Sequence, residues 1–197
     1  MARLQPASGR LALTLLLAVT GPAAAQQRSV SPPERPDAPV AVLDVAMYNA
    51  QANFQEATDS AKAELATGVL RRTLDSLLST QLVDGTAVRA ATRTPGALAR
   101  AGGQPCGVIV ACARFVGEAV GARWVVMAKV SKTSNLIWLF TGQLIHVPTG
   151  TVLLDDSTEL KGDPGAMVRA GARIFAERVA RAVRAGGRTA DLPTASH

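Results

Sequence analysis

The two cysteines of the chain stand six positions apart in the segment CGVIVAC, residues 106–112. Sulfurs this close can form a bridge, a redox couple or part of a metal site, and the spacing bears on each. In an α-helix a six-residue offset separates the Cα atoms by about 9 Å. In a strand the separation is roughly 20 Å, and a bridge needs about 7 Å or less. A disulfide between Cys106 and Cys112 therefore requires a turn between them, which Gly107 can supply. Its loop is short, so its chain-entropy contribution is about 2 kcal/mol. A thioredoxin-like couple uses C-x-x-C with one thiol at a helix start. The spacing here differs, although Cys112 at the start of a helix keeps a thiol-dependent oxidoreductase open as an alternative. A metal site needs three or four ligands. His146 sits inside a predicted strand and His197 ends the chain, so no ligand set forms. Two inert buried thiols are the remaining reading.

Other polar groups are more dispersed. Lys129, Lys132, Ser134 and Asn135 surround a predicted hairpin tip and are candidate contacts for a ligand. Ser and Asn also belong in turns for conformational reasons alone, and lysines protect sheet edges. In the last predicted helix, Arg169, Arg173, Arg181 and Arg184 fall within one third of the circumference, with Glu177 among them. Met167, Gly171, Ile174, Phe175, Val179 and Ala182 occupy the other side. Such a stripe is either a solvated face or a surface for anionic lipid. Asp155 and Asp156 are neighbours on a predicted strand and point to opposite faces, so they are not a catalytic pair. No nucleophile elbow accompanies His146, and no phosphate-cradling glycine loop follows the first strand. No catalytic, cofactor-binding or metal-binding residue is assigned.

The elements that would position these groups can be read in order. VAVLDVAM (40–47) suits a buried strand. A helix follows from about Asp59 or Ser60, with Leu65, Val69, Leu74, Leu77 and Leu78 at helical spacing and Arg71, Arg72 and Asp75 on other faces. QLVD (81–84) reads as a second strand, and VRAATR as a short helix. TPGALARAGGQP (94–105) reads as a loop with at most one helical turn. ACARFVGEAVGA (111–122) reads as a helix that Gly121 can end. Strands at 123–132, 136–147 and 151–160 are joined by two short turns and so form an antiparallel meander. Asp163 then Pro164 start a helix that runs to about Arg184. The order strand-helix-strand-helix-helix, three strands, helix predicts an α/β or α+β fold on a mixed sheet.

The N-terminus addresses location. Arg3 and Arg10 precede the apolar run LALTLLLAV (11–19), and small residues end at Ala25. That order is the pattern of a secretory signal peptide, and the run is too short to span a bilayer comfortably. The expectation is a signal at 1–25, a Pro-rich disordered lead-in at 26–38, one domain at 39–184 and a flexible tail at 185–197. Loss of Arg3 and Arg10 would leave 19 basic against 15 acidic residues. That mild excess does not imply nucleic acid. An exported chain with one close cysteine pair also favours a bridge.

The run VGEAVGARWVVMAKVSKTSNLIWLFTGQLIHVPTGTVL, with VAVLDVAM, QLVD and the cysteine pair before it, resembles a bacterial family of small exported proteins. That family is known as a domain of unknown function, the group numbered twenty-three-eighty or thirty-two-eighty. Lys132, Ser134, Asn135, Leu136, Thr149 and Gly150 are the most characteristic matches. The cysteines stand further apart than in the family, so no shared cysteine role is carried across. The resemblance implies export and brings no catalytic residues. The element order is also similar to the N-terminal domain of TolB and to the periplasmic part of the curli secretion channel. The expected function is a non-enzymatic accessory or binding domain of an envelope or periplasmic system. Its partner would be a periplasmic protein or a small ligand, with no cofactor, no nucleic acid and no transmembrane span.

Overall fold

A computed structural model of the chain describes residues 38–49, 58–78, 81–134 and 137–188. The expected signal peptide, most of the lead-in and the end of the tail lie outside these residues, and so does Asn135.

The predicted first strand is present but broken. Strand β1 (Val40–Val42) and strand β2 (Ala46–Asn49) both run parallel to β3 (Trp124–Lys132). Val42 pairs with Val126 and Ala46 with Lys129, so residues 43–45 face only two residues of β3. This one-residue excess is a β-bulge, which interrupts the ladder and re-aims side chains. Leu43 N still donates to Val126 O at 2.9 Å. Val45 N instead donates to Thr67 Oγ1 at 2.8 Å, which satisfies the group the bulge removes from the ladder. A charged Asp44 within an apolar run is the sequence signal of this break.

Helix α1 (Asp59–Leu78) follows. Its buried stripe is Asp59, Ala63, Ala66, Leu70, Leu74 and Leu78. Leu65, Val69 and Leu77, expected in that stripe, are only half-buried. Small alanines let the helix lie close to the sheet and rotate the larger residues to its flank. QLVD does not become a second strand. It makes a single parallel bridge, Leu82 beside Val40. Asp84 then turns the chain into α2 (Gly85–Thr92), its Oδ2 accepting from Thr86 N and Ala87 N. Nor is 94–105 all loop. Thr94, Pro95 and left-handed Gly102 (φ 55°) bracket α3 (Pro95–Ala101) as N-cap, first-turn proline and C-terminal stop. The same residues read as loop breakers when the short alanine-rich run between them is overlooked. A 3-10 turn (Cys106–Val108) leads into α4 (Val110–Ala119), with Gly121 at φ 68° just beyond its end.

The meander forms as expected. Antiparallel β4 (Trp138–His146) and β5 (Val152–Leu160) extend β3, and the main strand order is β1-β3-β4-β5. Helix α5 (Pro164–Arg184) begins at the Asp163 cap, whose Oδ1 accepts from Ala166 N at 2.7 Å. The fold is α+β on a mixed sheet.

Alternation along the strands divides the core. Val40, Val42, Trp124, Val126 and Ala128 face α1 and α5, where Trp138, Phe140 and Phe175 add aromatic bulk. Ala41, Leu43, Val125, Met127 and Ile145 face α2, α3 and α4. Among the described residues that second layer holds no buried aromatic ring, and Cys106 and Cys112 lie within it.

On the first face, α5 also covers a carboxylate. Asp156 lies 2.7 Å from Arg178 Nη1. Burial, outweighing the pull of Arg178, raises its pKa above the ordinary carboxylate value, and Asp155 adds to the rise. Folding therefore favours the protonated acid. Its contribution is fully present below the unfolded carboxylate pKa and is lost as pH rises through the raised folded value. An Asp156→Asn variant should gain stability relative to the native chain as pH rises across that window, as read by thermal unfolding at a series of pH values. A flat difference would contradict the assignment.

Candidate functional site

The residues singled out by sequence do not converge. Cys106 and Cys112 are bridged, with Cα atoms 5.2 Å apart. The 3-10 turn at Cys106–Val108 supplies the reversal. Both cysteines are buried, at 8% and 0% exposure, so the bridge is screened from a redox partner. Gly107 presses onto the β-bulge. A Cβ there would stand 3.1 Å from Asp44 O and 3.2 Å from Ala128 O, so a larger residue would push the two backbones apart by a few tenths of an ångström. Val108, Ile109 and Val110 between the cysteines are half-buried, and Ile109 and Val110 pack against the layer that holds the bridge.

Lys132 is not on the surface. Its exposure is 3%, and its Nζ lies 3.2 Å from Oδ2 of Asp59, which is 0% exposed. Lys62 Nζ stands 3.6 Å from the other oxygen, and both ammonium groups lie over the Trp138 ring. Strand alternation predicts this inward direction, but no pattern in the sequence places Asp59 opposite it. Lys129 lies on the other face, half-buried, with Nζ 5.5 Å from the Tyr48 ring centre. Ser134 is exposed, and its Oγ accepts from Ile137 N. Arg169 and Arg173 are exposed on α5. Ile174, expected on the buried side, is 51% exposed beside them. His146 Nδ1 lies 2.8 Å from Thr149 Oγ1 in the β4–β5 turn, away from the cysteines and from the Asp59–Lys132 pair. Among the described residues no group of three or more His, Cys, Asp or Glu could hold a metal ion. No described helix is long and apolar enough to cross a membrane.

What sequence reasoning missed is a cleft at the carboxyl end of β1. Its volume is about 370 Å³, and it is lined by Val42, Arg71, Arg72, Asp75, Leu82, Val83, Asp84 and Gly85. The topology explains the opening. The chain leaves β1 toward α1 on one face of the sheet, and leaves the Leu82 bridge toward α2 on the other. Adjacent parallel segments whose helices diverge to opposite faces leave a crevice at their carboxyl ends, where α/β folds bind ligands.

The bulge and α2 furnish one wall. Asp44, re-aimed by the bulge, meets Arg71 Nη2 at 2.9 Å, and the same nitrogen donates to Val42 O at 2.9 Å. Arg89 lies 4.0 Å from Asp44. Burial lowers the pKa of Arg71, against the opposing pull of Asp44, yet its guanidinium remains charged at any physiological pH. Gly85 gives it room, since a Cβ at that position would collide with the guanidinium. The Nε of Arg71 is buried and meets no acceptor among the described residues. Arg72 and Asp75, one turn apart on α1, are exposed at the cleft and pair with no described residue. The spacing Arg71-Arg72-x-x-Asp75 before Asp84-Gly85 is the available signal, but helical spacing alone puts the first three only on other faces of α1, and QLVD reads as a strand.

The model of a protein family, DUF3280, described as a protein of unknown function (DUF2380), matches residues 38–179. No curated protein matches the chain. Among solved structures, the C-terminal domain of LpoB from Salmonella enterica is similar at 19% identity with a TM-score of 0.46. The match covers 64% of this chain and 84% of that one. PelC from Paraburkholderia phytofirmans, solved as a dodecamer, is similar at 15% identity and a TM-score of 0.42, covering 78% of this chain and 92% of that one. TolB from Acinetobacter baumannii is similar at 16% identity and a TM-score of 0.38, covering 78% of this chain and 29% of that one.

Proposed function

Because the chain belongs to the DUF3280 family, whose description assigns no activity, we propose its role from its own geometry: an exported, non-enzymatic accessory domain of the cell envelope that binds through the β1 cleft. The observation that carries this reading is the crevice of about 370 Å³ between α1 and α2, with free charges over an apolar floor. That volume lies in the range of small-molecule and peptide-segment sites, about 300–1,000 Å³. Export is supported by the charged, apolar and small-residue order of 1–25 and by the buried Cys106–Cys112 bridge. Cleavage near Ala25 and a periplasmic destination belong to the same proposal.

A second reading uses the outer face of α5. Ile174 is exposed beside Arg169 and Arg173, an apolar residue among cations that suits an anionic lipid surface.

Photo-crosslinking in living cells separates the two. A benzophenone side chain placed at position 86 lies beside Gly85 at the rim of the cleft, and one placed at position 173 lies on α5. Both sites are exposed, so the fold should tolerate them. Adducts from position 86 and none from position 173 are the expected result. Lipid adducts from position 173 alone would transfer the function to α5, and absence of adducts from both would reject both readings.

A further inference from the structure

We infer that the β1 cleft recognises a zwitterion: an α-amino acid or short peptide with an apolar side chain. The inference rests on the cleft being the binding site and adds what it takes. The lining charges balance, with Arg71 and Arg72 against Asp75 and Asp84. A purely anionic ligand would meet two carboxylates, and a purely cationic one two guanidinium groups.

The lining charges differ in availability. Asp84 is occupied in capping α2, and Arg71 Nη2 is held by Asp44 and Val42 O. Three groups are left. Arg72 lines the cleft with a guanidinium that pairs with no described residue and lies over Gly68, and Arg71 offers a buried Nε without an acceptor among the described residues. Both suit a carboxylate, which accepts charge-assisted hydrogen bonds from arginine. Asp75 is the remaining carboxylate among the described lining residues and suits an ammonium group. The Arg72 guanidinium reaches back over Gly68, where a Cβ would stand 3.1 Å from Nη1, so it and Asp75, one turn apart on the helix, take their two charges as neighbours that do not pair with each other. A free amino acid carries its charges on one carbon, and a dipeptide a few bonds apart. Val42, Leu82 and Val83 form an apolar floor for the side chain. Burial of that side chain supplies the favourable free energy, and the charges set orientation.

The test is calorimetric titration of the purified chain with L-leucine and L-leucyl-L-leucine, against N-acetyl-L-leucine and L-leucinamide. The two capped compounds each lack one charge and keep the side chain. Binding of at least one zwitterion, with both capped forms about ten- to hundredfold weaker, is the expected result. The two zwitterions distinguish a free amino acid from a peptide. Arg72→Gln and Asp75→Asn should each weaken the zwitterion by a similar factor, while circular dichroism and unfolding midpoint stay unchanged because both side chains are exposed and unpaired among the described residues. Equal binding of capped and zwitterionic forms would overturn the inference, as would no binding of any of the four. If position 86 yields crosslinks while all four ligands fail, the cleft binds and this ligand class is wrong. If position 86 yields none, the broader reading fails.

Discussion

A Lys132→Met variant is expected to lose about 3–5 kcal/mol of stability, the cost of leaving a buried carboxylate without its principal partner. Asp59 is fully buried at the first residue of α1, and Lys132 reaches it from the end of β3 at 3.2 Å. Removing the ammonium group takes away the partner at Oδ2, while Lys62 stands 3.6 Å from the other oxygen. Surface ion pairs contribute little because water competes, but neither side chain here has appreciable contact with water. For a domain of this size the loss corresponds to roughly 6–20 °C in Tm. Urea unfolding should show a lower midpoint with an unchanged slope. A paired Asp59→Leu and Lys132→Met replacement should recover most of the loss, since two apolar groups no longer strand a charge. A loss below about 1 kcal/mol in the single variant would mean that water reaches the pair and that Asp59 is not held as described.

The second large effect concerns the bridge. Replacing Cys106 and Cys112 together with alanine is expected to cost about 2–3 kcal/mol, the short-loop value of the chain-entropy account. Three reporters follow from burial of both sulfurs. In the native state, a soluble reductant should open the bridge slowly, and addition of denaturant should accelerate the opening sharply. Ligand binding by the folded double variant should persist at temperatures well below its unfolding midpoint. Rapid reduction of the folded chain, together with loss of binding in a folded double variant, would restore a thiol role for the pair.

The degree to which the sequence foretold the structure follows from the range of the interactions involved. The meander and α5 were legible because their signals are local: alternation in 123–160, short turns, and an Asp-Pro start. The bridge was legible because six residues constrain two Cα atoms tightly once a turn intervenes. The bulge at 43–45 was not read, although Asp44 marked it, because a single acid in an apolar run has several explanations until a partner strand fixes the register. The packing phase of α1 departs from the leucine and valine pattern because Ala63 and Ala66 contribute little to a hydrophobic pattern but much to close approach. Sequence alone leaves Lys132 at a hairpin tip because its partner lies 73 positions away. The cleft was hidden for the same reason: Val42, Arg71 and Asp84 come from three segments that only the topology brings together.

The unequal composition of the two layers has a consequence for timing. One wall of the cleft, α1, is seated on the aromatic layer, and the other begins at Asp84-Gly85 and α2 on the layer that contains the bridge. Before oxidation, the first layer can already be assembled through Trp124, Phe140 and Phe175, whereas the second lacks its covalent tie. An unbridged chain that has folded still keeps both jaws. The bridge adds a margin of stability to the second one only, so on heating an unbridged chain should lose the jaw on the cysteine side first, while the two jaws of the bridged chain fail together.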